Sequence, residues 1–330
     1  MLRLLIIFLF LLSITFVNSV TANLIPSTKP IKRQVAITFD DLPQQGQQEA
    51  IKPLKEMTSK LINQITKNKI PAIGFVNESK LYQNDELKER TAILQLWLDA
   101  GLELGNHTYS HPYFYRTSLT DFQENVLQGE KITNTLVKNR KVKYFRHPFL
   151  NTGPDLETKT AFEKFLLNQN YVIAPVTIDN SEWLFANVYR KAKEQNDKKT
   201  ADRVATEYIP YMEKMFVFYE KLSLDVVGYE VPQILLLHAN LLNAEHLDKL
   251  IEMLKGRNYQ FISLEEALKD KSYNLSDKYT GKVGVSWLHR WAITKGMQMQ
   301  KEPALPEFME QFDQPGVSGS GFKSAQKASN

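Results

Sequence analysis

The chain has 330 residues, enough for one large domain or two ordinary ones, and its 43% apolar and 24% charged residues are those of a soluble globular protein. A formal net charge of +4, with no stripe of Lys and Arg, argues against a nucleic-acid partner. The absence of cysteine excludes disulfides, a thiolate metal site, a thiol nucleophile and the cysteine that bacterial lipid anchoring needs.

Met1-Leu2-Arg3 gives a short positive start, and Leu4 to Val17 is an almost unbroken apolar run. That run is too short for a membrane span, and the small residues of Val20-Thr21-Ala22 follow it. Residues 1–22 are therefore expected to be a secretory signal peptide, with a mature chain starting near Asn23 and no stable membrane anchor, the competing reading being an uncleaved N-terminal anchor. An exported chain without cysteine fits a bacterial periplasm or cell exterior.

A linker is expected over 23–33. The spacing then predicts a strand over Val35–Phe39 ending at Asp40-Asp41, and an amphipathic helix over Glu49–Lys67. Next come a strand at Ala72–Val76, a helix over Asp85–Ala100 stopped by Gly101, and a strand at Leu102–Asn106 leading to His107. Asp121–Val137 is predicted helical, Tyr144–Arg146 a strand end closed by Pro148, Leu156–Asn168 a helix and Tyr171–Ile178 a strand. Residues 184–228 contain no strand pattern and predict a helical insertion interrupted near Pro210. Ile234–Leu237 is an apolar strand ending at His238, followed by a helix over Ala244–Lys255, a strand at Tyr259–Ile262 and a short helix capped by Ser263.

Repeated strand–helix units mean a parallel sheet with helices outside, here a distorted (β/α)7 barrel over 34–296. The 297–330 extension is expected to end in a disordered tail, because Gln314–Asn330 is rich in Gly, Ser and Lys.

Polar residues fall where such a barrel keeps its chemistry. Asp40-Asp41, His107, Arg146, Asp179 and His238 each stand at or just past a predicted strand's C-terminal end. His107 and His111 are four apart, which on a helical turn would put both imidazoles on one face, able to share a metal with an aspartate from another strand. His147 and His246 have packing or surface roles in this reading. Trp287 and Trp291 are first a packing pair and only second a sugar platform. The stripe Val204, Tyr208, Tyr211, Met212, Met215 and Tyr219 is first a packing face.

Five short motifs occur in order: Thr38-Phe39-Asp40-Asp41, His107-Thr108-Tyr109-Ser110-His111, Arg146-His147-Pro148-Phe149, Asp179-Asn180-Ser181-Glu182-Trp183 and Leu236-Leu237-His238. The sequence thereby resembles the NodB-homology polysaccharide deacetylases, carbohydrate esterase family 4. Two positions depart from that pattern: Phe149 replaces a tyrosine and Glu182 an aspartate. The resemblance implies a hydrolase that removes acetyl groups from an acetylated polysaccharide with metal-activated water. Asp41, His107 and His111 would hold a divalent metal, zinc above all, and Asp40 would be the base. The backbone N–H of Phe149 would bind the oxyanion, and His238 would be the acid. Arg146 would orient Asp40, Glu182 or Asp179 would hold His238, and Trp183 and Leu236 would line the methyl pocket. Two other readings compete: hydrolysis of a non-sugar C–N bond on the same fold, and a glycan-binding module without catalysis.

Overall fold

The computed structural model describes residues 33–138 and 142–313. The expected signal peptide, the linker up to residue 32 and the tail from 314 lie outside the described residues.

The chain runs β1 (Arg33–Leu42), α1 (Ile51–Lys67), β2 (Ile73–Val76), α2 (Leu87–Asp99), β3 (Glu103–Asn106), α3 (Leu119–Gln128), α4 (Lys131–Leu136), β4 (Tyr144–Phe145), α5 (Leu156–Asn168) and β5 (Val172–Ile173). It continues through α6 (Glu182–Glu194), α7 (Lys198–Val227), β6 (Gln233–His238), α8 (Leu241–Gly256), β7 (Tyr259–Phe261), α9 (Leu264–Ala267), α10 (Trp287–Thr294) and α11 (Glu307–Glu310). All strand pairs are parallel, in the order β5-β4-β3-β2-β1-β6, and β7 pairs with the start of β1. The extended chain beyond β5 crosses from one edge to the other. Ala174 N–H donates to Phe145 of β4, and Ile178 bridges Leu235 of β6. This step curls the sheet into the distorted barrel that the sequence predicts.

Amphipathic helices cover the sheet. On α1 the residues Leu54, Met57, Leu61 and Ile65 are buried, each such side chain contributing roughly 1.5–3 kcal/mol relative to exposure. The strands carry buried apolar runs, as parallel strands covered on both faces must.

Three expectations about helices are corrected. Residues 121–137 form two helices, α3 and α4, which part at Gly129. There the backbone closes on the loop after β3 so tightly that a Cβ would lie 2.4 Å from the Thr108 carbonyl carbon. Next, α7 runs unbroken through Pro210. Pro210 and Thr206, whose carbonyl loses its helical donor, both lie on the exposed side. The buried face of Tyr208, Tyr211, Met212, Met215 and Tyr219 holds the helix together and overrides the local penalty. The third correction concerns His107 and His111 and is given with the site below.

Trp287 and Trp291 are buried against the barrel, in the packing role. Within the C-terminal extension, residues 297–313 are described, and Leu305 and Met309 are buried in the core. Among the described residues, no helix is long and apolar enough to cross a membrane.

Candidate active site

Strand register builds the site. Asp40 on β1 pairs with His238 on β6, so two groups 198 positions apart become neighbours on adjacent strands. Asn106 pairs with Phe145, which sets His107 beside Arg146 one residue beyond each strand. Asp40, Asp41, His107, His111, Asp179 and His238 all line one cavity of about 280 Å³. Phe149, Trp183 and Leu236 line it too.

Asp41, His107 and His111 offer ligand atoms that all lie within 4.8 Å of one another. The Nε2 atoms of His107 and His111 are 3.9 and 3.7 Å from Asp41 Oδ1. That oxygen is buried and has Lys80 Nζ 3.3 Å away as an ion-pair partner. His107 Nδ1–H donates to the Arg146 carbonyl at 2.8 Å, which leaves the lone pair on Nε2, the atom facing the cluster. Burial pushes His107 well below the ordinary imidazole pKa and His111 down to about 4, so both rings are neutral at pH 7. Burial acts to raise Asp41, but Lys80 first, then His111, His238 and His107, outweigh it and hold the carboxyl well below the usual range. Two neutral imidazoles and an ionised carboxylate whose ligand atoms converge fit a divalent cation.

The helical turn expected at His107–His111 is absent. The segment is a loop with Thr108 at φ 70° and His111 at φ 58°, left-handed conformations that non-glycine residues rarely adopt. Neighbouring elements hold it. The Asn125 carbonyl accepts from Tyr109 N–H at 2.9 Å, and its side chain accepts from Ser110 N–H at 3.0 Å. Asn77 donates to the His107 carbonyl at 2.6 Å. The two rings then meet edge to face, with centroids 4.8 Å apart.

On one side of the cluster Asp40 is buried, with each carboxylate oxygen 3.4 Å from Arg146 Nη1. Arg146 is fixed by donating from Nε to the Ala174 carbonyl at 2.8 Å and from Nη2 to Thr38 Oγ1 at 3.0 Å. Burial raises Asp40 to about 6, against the opposing pull of Arg146. On the other side His238 Nδ1–H donates to Glu182 Oε2 at 2.7 Å. Burial acts to lower His238, but its charge interaction and hydrogen bond with Glu182 lift it to about 9. Of the two carboxylates considered for this partner, Glu182 makes the contact, and Asp179 lines the cavity beside it.

Glu182 is itself pinned. Its Oε1 accepts from Asn243 at 2.7 Å and from Asn240, and Asn243 accepts from Tyr208 of α7 at 3.0 Å. The helical insertion thus reaches the site through Tyr208, and Trp183 and Asn187 of α6 form part of the cavity wall.

Sequence reasoning missed Lys80, Asn240 and Asn243. Lys80 Nζ donates to the Asp41 and Gln44 carbonyls at 3.2 Å each and lies 3.3 Å from Asp41 Oδ1. The rule that found the other residues, polar groups just past a strand's C-terminal end, points at β2 to Asn77 and leaves Lys80, four residues past the strand, unmarked.

The sequence model described as Polysaccharide deacetylase matches residues 27–163. A peptidoglycan-N-acetylglucosamine deacetylase of Bacillus cereus is 26% identical over 152 residues, 46% of this chain and 47% of that protein. The chain thus spans about half the length of this curated relative. Among solved structures, a peptidoglycan deacetylase from Bacillus subtilis aligns over 74% of this chain and 96% of its own, at 20% identity and a TM-score of 0.45. A chitin deacetylase from Colletotrichum lindemuthianum aligns over 72% and 88%, at 23% identity and a TM-score of 0.46. A CE4 family pseudoenzyme from Bacillus anthracis aligns over 73% and 66%, at 18% identity and a TM-score of 0.47. The matched segment carries the Asp40-Asp41, His107–His111 and Arg146 motifs, and over residues 27–163 the chain is similar to the polysaccharide deacetylase family.

Proposed function

We propose that this chain hydrolyses acetyl groups of a polysaccharide, N-acetyl ahead of O-acetyl, with a zinc ion held by Asp41, His107 and His111. The observation that carries the reading is the pair of proton-handling groups flanking the metal cluster, Asp40 raised to about 6 and His238 raised to about 9. Near neutral pH the first is a carboxylate able to accept a proton and the second an imidazolium able to give one.

When bound, the metal supplies Lewis-acid polarisation of the acetyl carbonyl and acidifies water. Asp40, oriented by Arg146, takes the proton from the attacking water on a carboxylate oxygen. The Phe149 backbone N–H donates to the carbonyl oxygen as negative charge develops there. His238, held by Glu182 through Nδ1, gives the Nε2 proton to the leaving nitrogen as the C–N bond breaks. Trp183 and Leu236 take the acetyl methyl. An amide favours this assignment over an ester, because an amine leaves only when protonated and His238 stays protonated to high pH. The name of the Bacillus cereus relative points the same way. We place the reaction outside the cytoplasm, on the apolar run of residues 4–17.

Acetate release from a panel of chitin oligomers, peptidoglycan, acetylated xylan and non-sugar acetamides tests the proposal. Release from the N-acetylated glycans is expected. Turnover of the non-sugar amides alone, or of nothing in the panel, would reject it.

A further inference from the structure

Beyond the last barrel strand, residues 277–291 return to the active-site face and grip the loop that carries Phe149. That loop is unusual in itself: Phe149 and Leu150 both have left-handed φ, 55° and 51°. Two consecutive bulky residues rarely hold this conformation unless their surroundings impose it. The surroundings here are the 277–291 segment. Arg290, fully buried, donates from Nη2 to the Leu150 carbonyl and from Nη1 to Thr152 Oγ1 at 3.0 Å. Its own position is fixed by Asp277 at 3.2 Å and by donation from Nε to the Val285 carbonyl at 3.0 Å. Asn151 donates to the Gly281 and Lys282 carbonyls at 3.1 Å each, and Tyr113 donates to Lys282 as well.

Gly284 makes the closest approach. A Cβ there would fall 1.8 Å from the Phe149 carbonyl oxygen and 2.6 Å from the Leu150 carbonyl carbon, so no side chain fits without moving that backbone. The far end of the segment is tied to the other side of the cavity. Ser286 donates to the Thr177 carbonyl and Trp287 N–H to the Val176 carbonyl, both at 2.7 Å, two to three residues before Asp179.

We infer that residues 277–291 are a strap whose Gly284 and Arg290 act as positioning residues, setting the direction of the Phe149 N–H toward the reacting carbonyl. Neither residue touches the acetyl group in this role; each acts through the 149–150 backbone. The strap lies wholly outside residues 27–163, the segment that the family match covers. The inference rests on the deacetylase reading for its chemistry, and on geometry alone for the holding of the loop.

Gly284→Ala tests it in the full chain, with acetate release and amide hydrogen exchange measured side by side. Displacing one oxyanion donor is expected to lower kcat by about 10–100-fold, part of the effect of deleting such a donor outright. KM should stay within about threefold and zinc stoichiometry should not change, because Trp183, Leu236 and the Asp41, His107 and His111 cluster belong to other segments than the strap and its loop. Exchange across residues 147–152 should accelerate by about tenfold, reporting a freed loop. Arg290→Lys keeps the charge but loses the planar fork, and should show the same pattern more weakly. It supplies the same readouts if Gly284→Ala does not fold. Unaltered kcat and unaltered exchange in a folded variant would overturn the strap. A fall in thermal stability with kcat preserved would make it a structural brace and would also overturn the inference. If the unaltered protein released no acetate from any substrate, the function would fail, and the exchange rates would still decide whether the strap holds the loop.

Discussion

The two flanks of the cavity use the same ingredients, a buried carboxylate facing a cation, and reach opposite results. On the base side, Asp40 sits 3.4 Å from Arg146, a long contact shared by both oxygens, and burial wins: the carboxyl rises to about 6. On the acid side, His238 sits 2.7 Å from Glu182, and pairing wins over burial: the imidazole rises to about 9. The difference lies in contact length and in who is pinned. Arg146 spends its other donors on the Ala174 carbonyl and Thr38, so Asp40 receives a weak share of it. Glu182 is fixed by Asn240 and Asn243 with its second oxygen aimed at His238. Close charge-assisted hydrogen bonds favour the charged form where looser ion pairs in a desolvated site do not.

The sharpest way to break this comparison is to remove each proton-handling group in turn. Asp40→Asn and His238→Ala should each lower turnover of an N-acetylated glycan by about 100-fold or more while the metal stays bound. They should part company on an activated aryl acetate, whose leaving group needs no proton. There Asp40→Asn should remain crippling and His238→Ala should cost little. Equal damage by His238→Ala on both substrates, or loss of metal, would remove it as the acid.

The next effect is on the pH profile. Asp40 must be ionised, so the rate should fall as pH drops through about 6, and His238 must be protonated, so it should fall again as pH rises through about 9. Glu182→Gln removes the charge that lifts His238 and leaves the burial that lowers it. The basic limb should then move down to or below the ordinary imidazole value while the acidic limb moves far less, because Glu182 comes last among the groups acting on Asp40. The same linkage touches stability. His238 is raised above its unfolded value, so its pairing stabilises the fold fully below about 6.5, and that contribution disappears as pH rises through about 9. A basic limb unmoved by Glu182→Gln would mean that another group sets it.

The reacting groups of both sides were legible in the sequence, His238 included, while the contacts that hold Glu182 on the acid side were not. Asp40 and Asp41 directly follow the apolar, β-branched run Val35–Phe39, His107 and Arg146 follow shorter strand patterns, and strand ends are where a parallel barrel gathers its chemistry. The acid side depends on pairings with no local mark. Glu182 meets Asn240 and Asn243 across 58 and 61 positions, and Arg290 reaches Leu150 across 140. His107 and His111 were found by spacing but for the wrong local reason. A four-residue interval fits a helical turn, while the contacts from Asn125 and Asn77 that bend it into a loop come from other elements. Pro210 shows the reverse case, a strong local breaker overruled by one buried face of a 30-residue helix.

Metal dependence is the claim on which both flanks rest, and it is tested most directly by titrating chelator-treated protein with zinc while following acetate release from an N-acetylated glycan. The account predicts no release before addition and recovery that saturates at one ion per chain. In His111→Ala it predicts weakened binding and no recovery, because two remaining protein ligands make a poor site. Full acetate release from metal-free protein, or from His111→Ala at the unaltered rate, would contradict it.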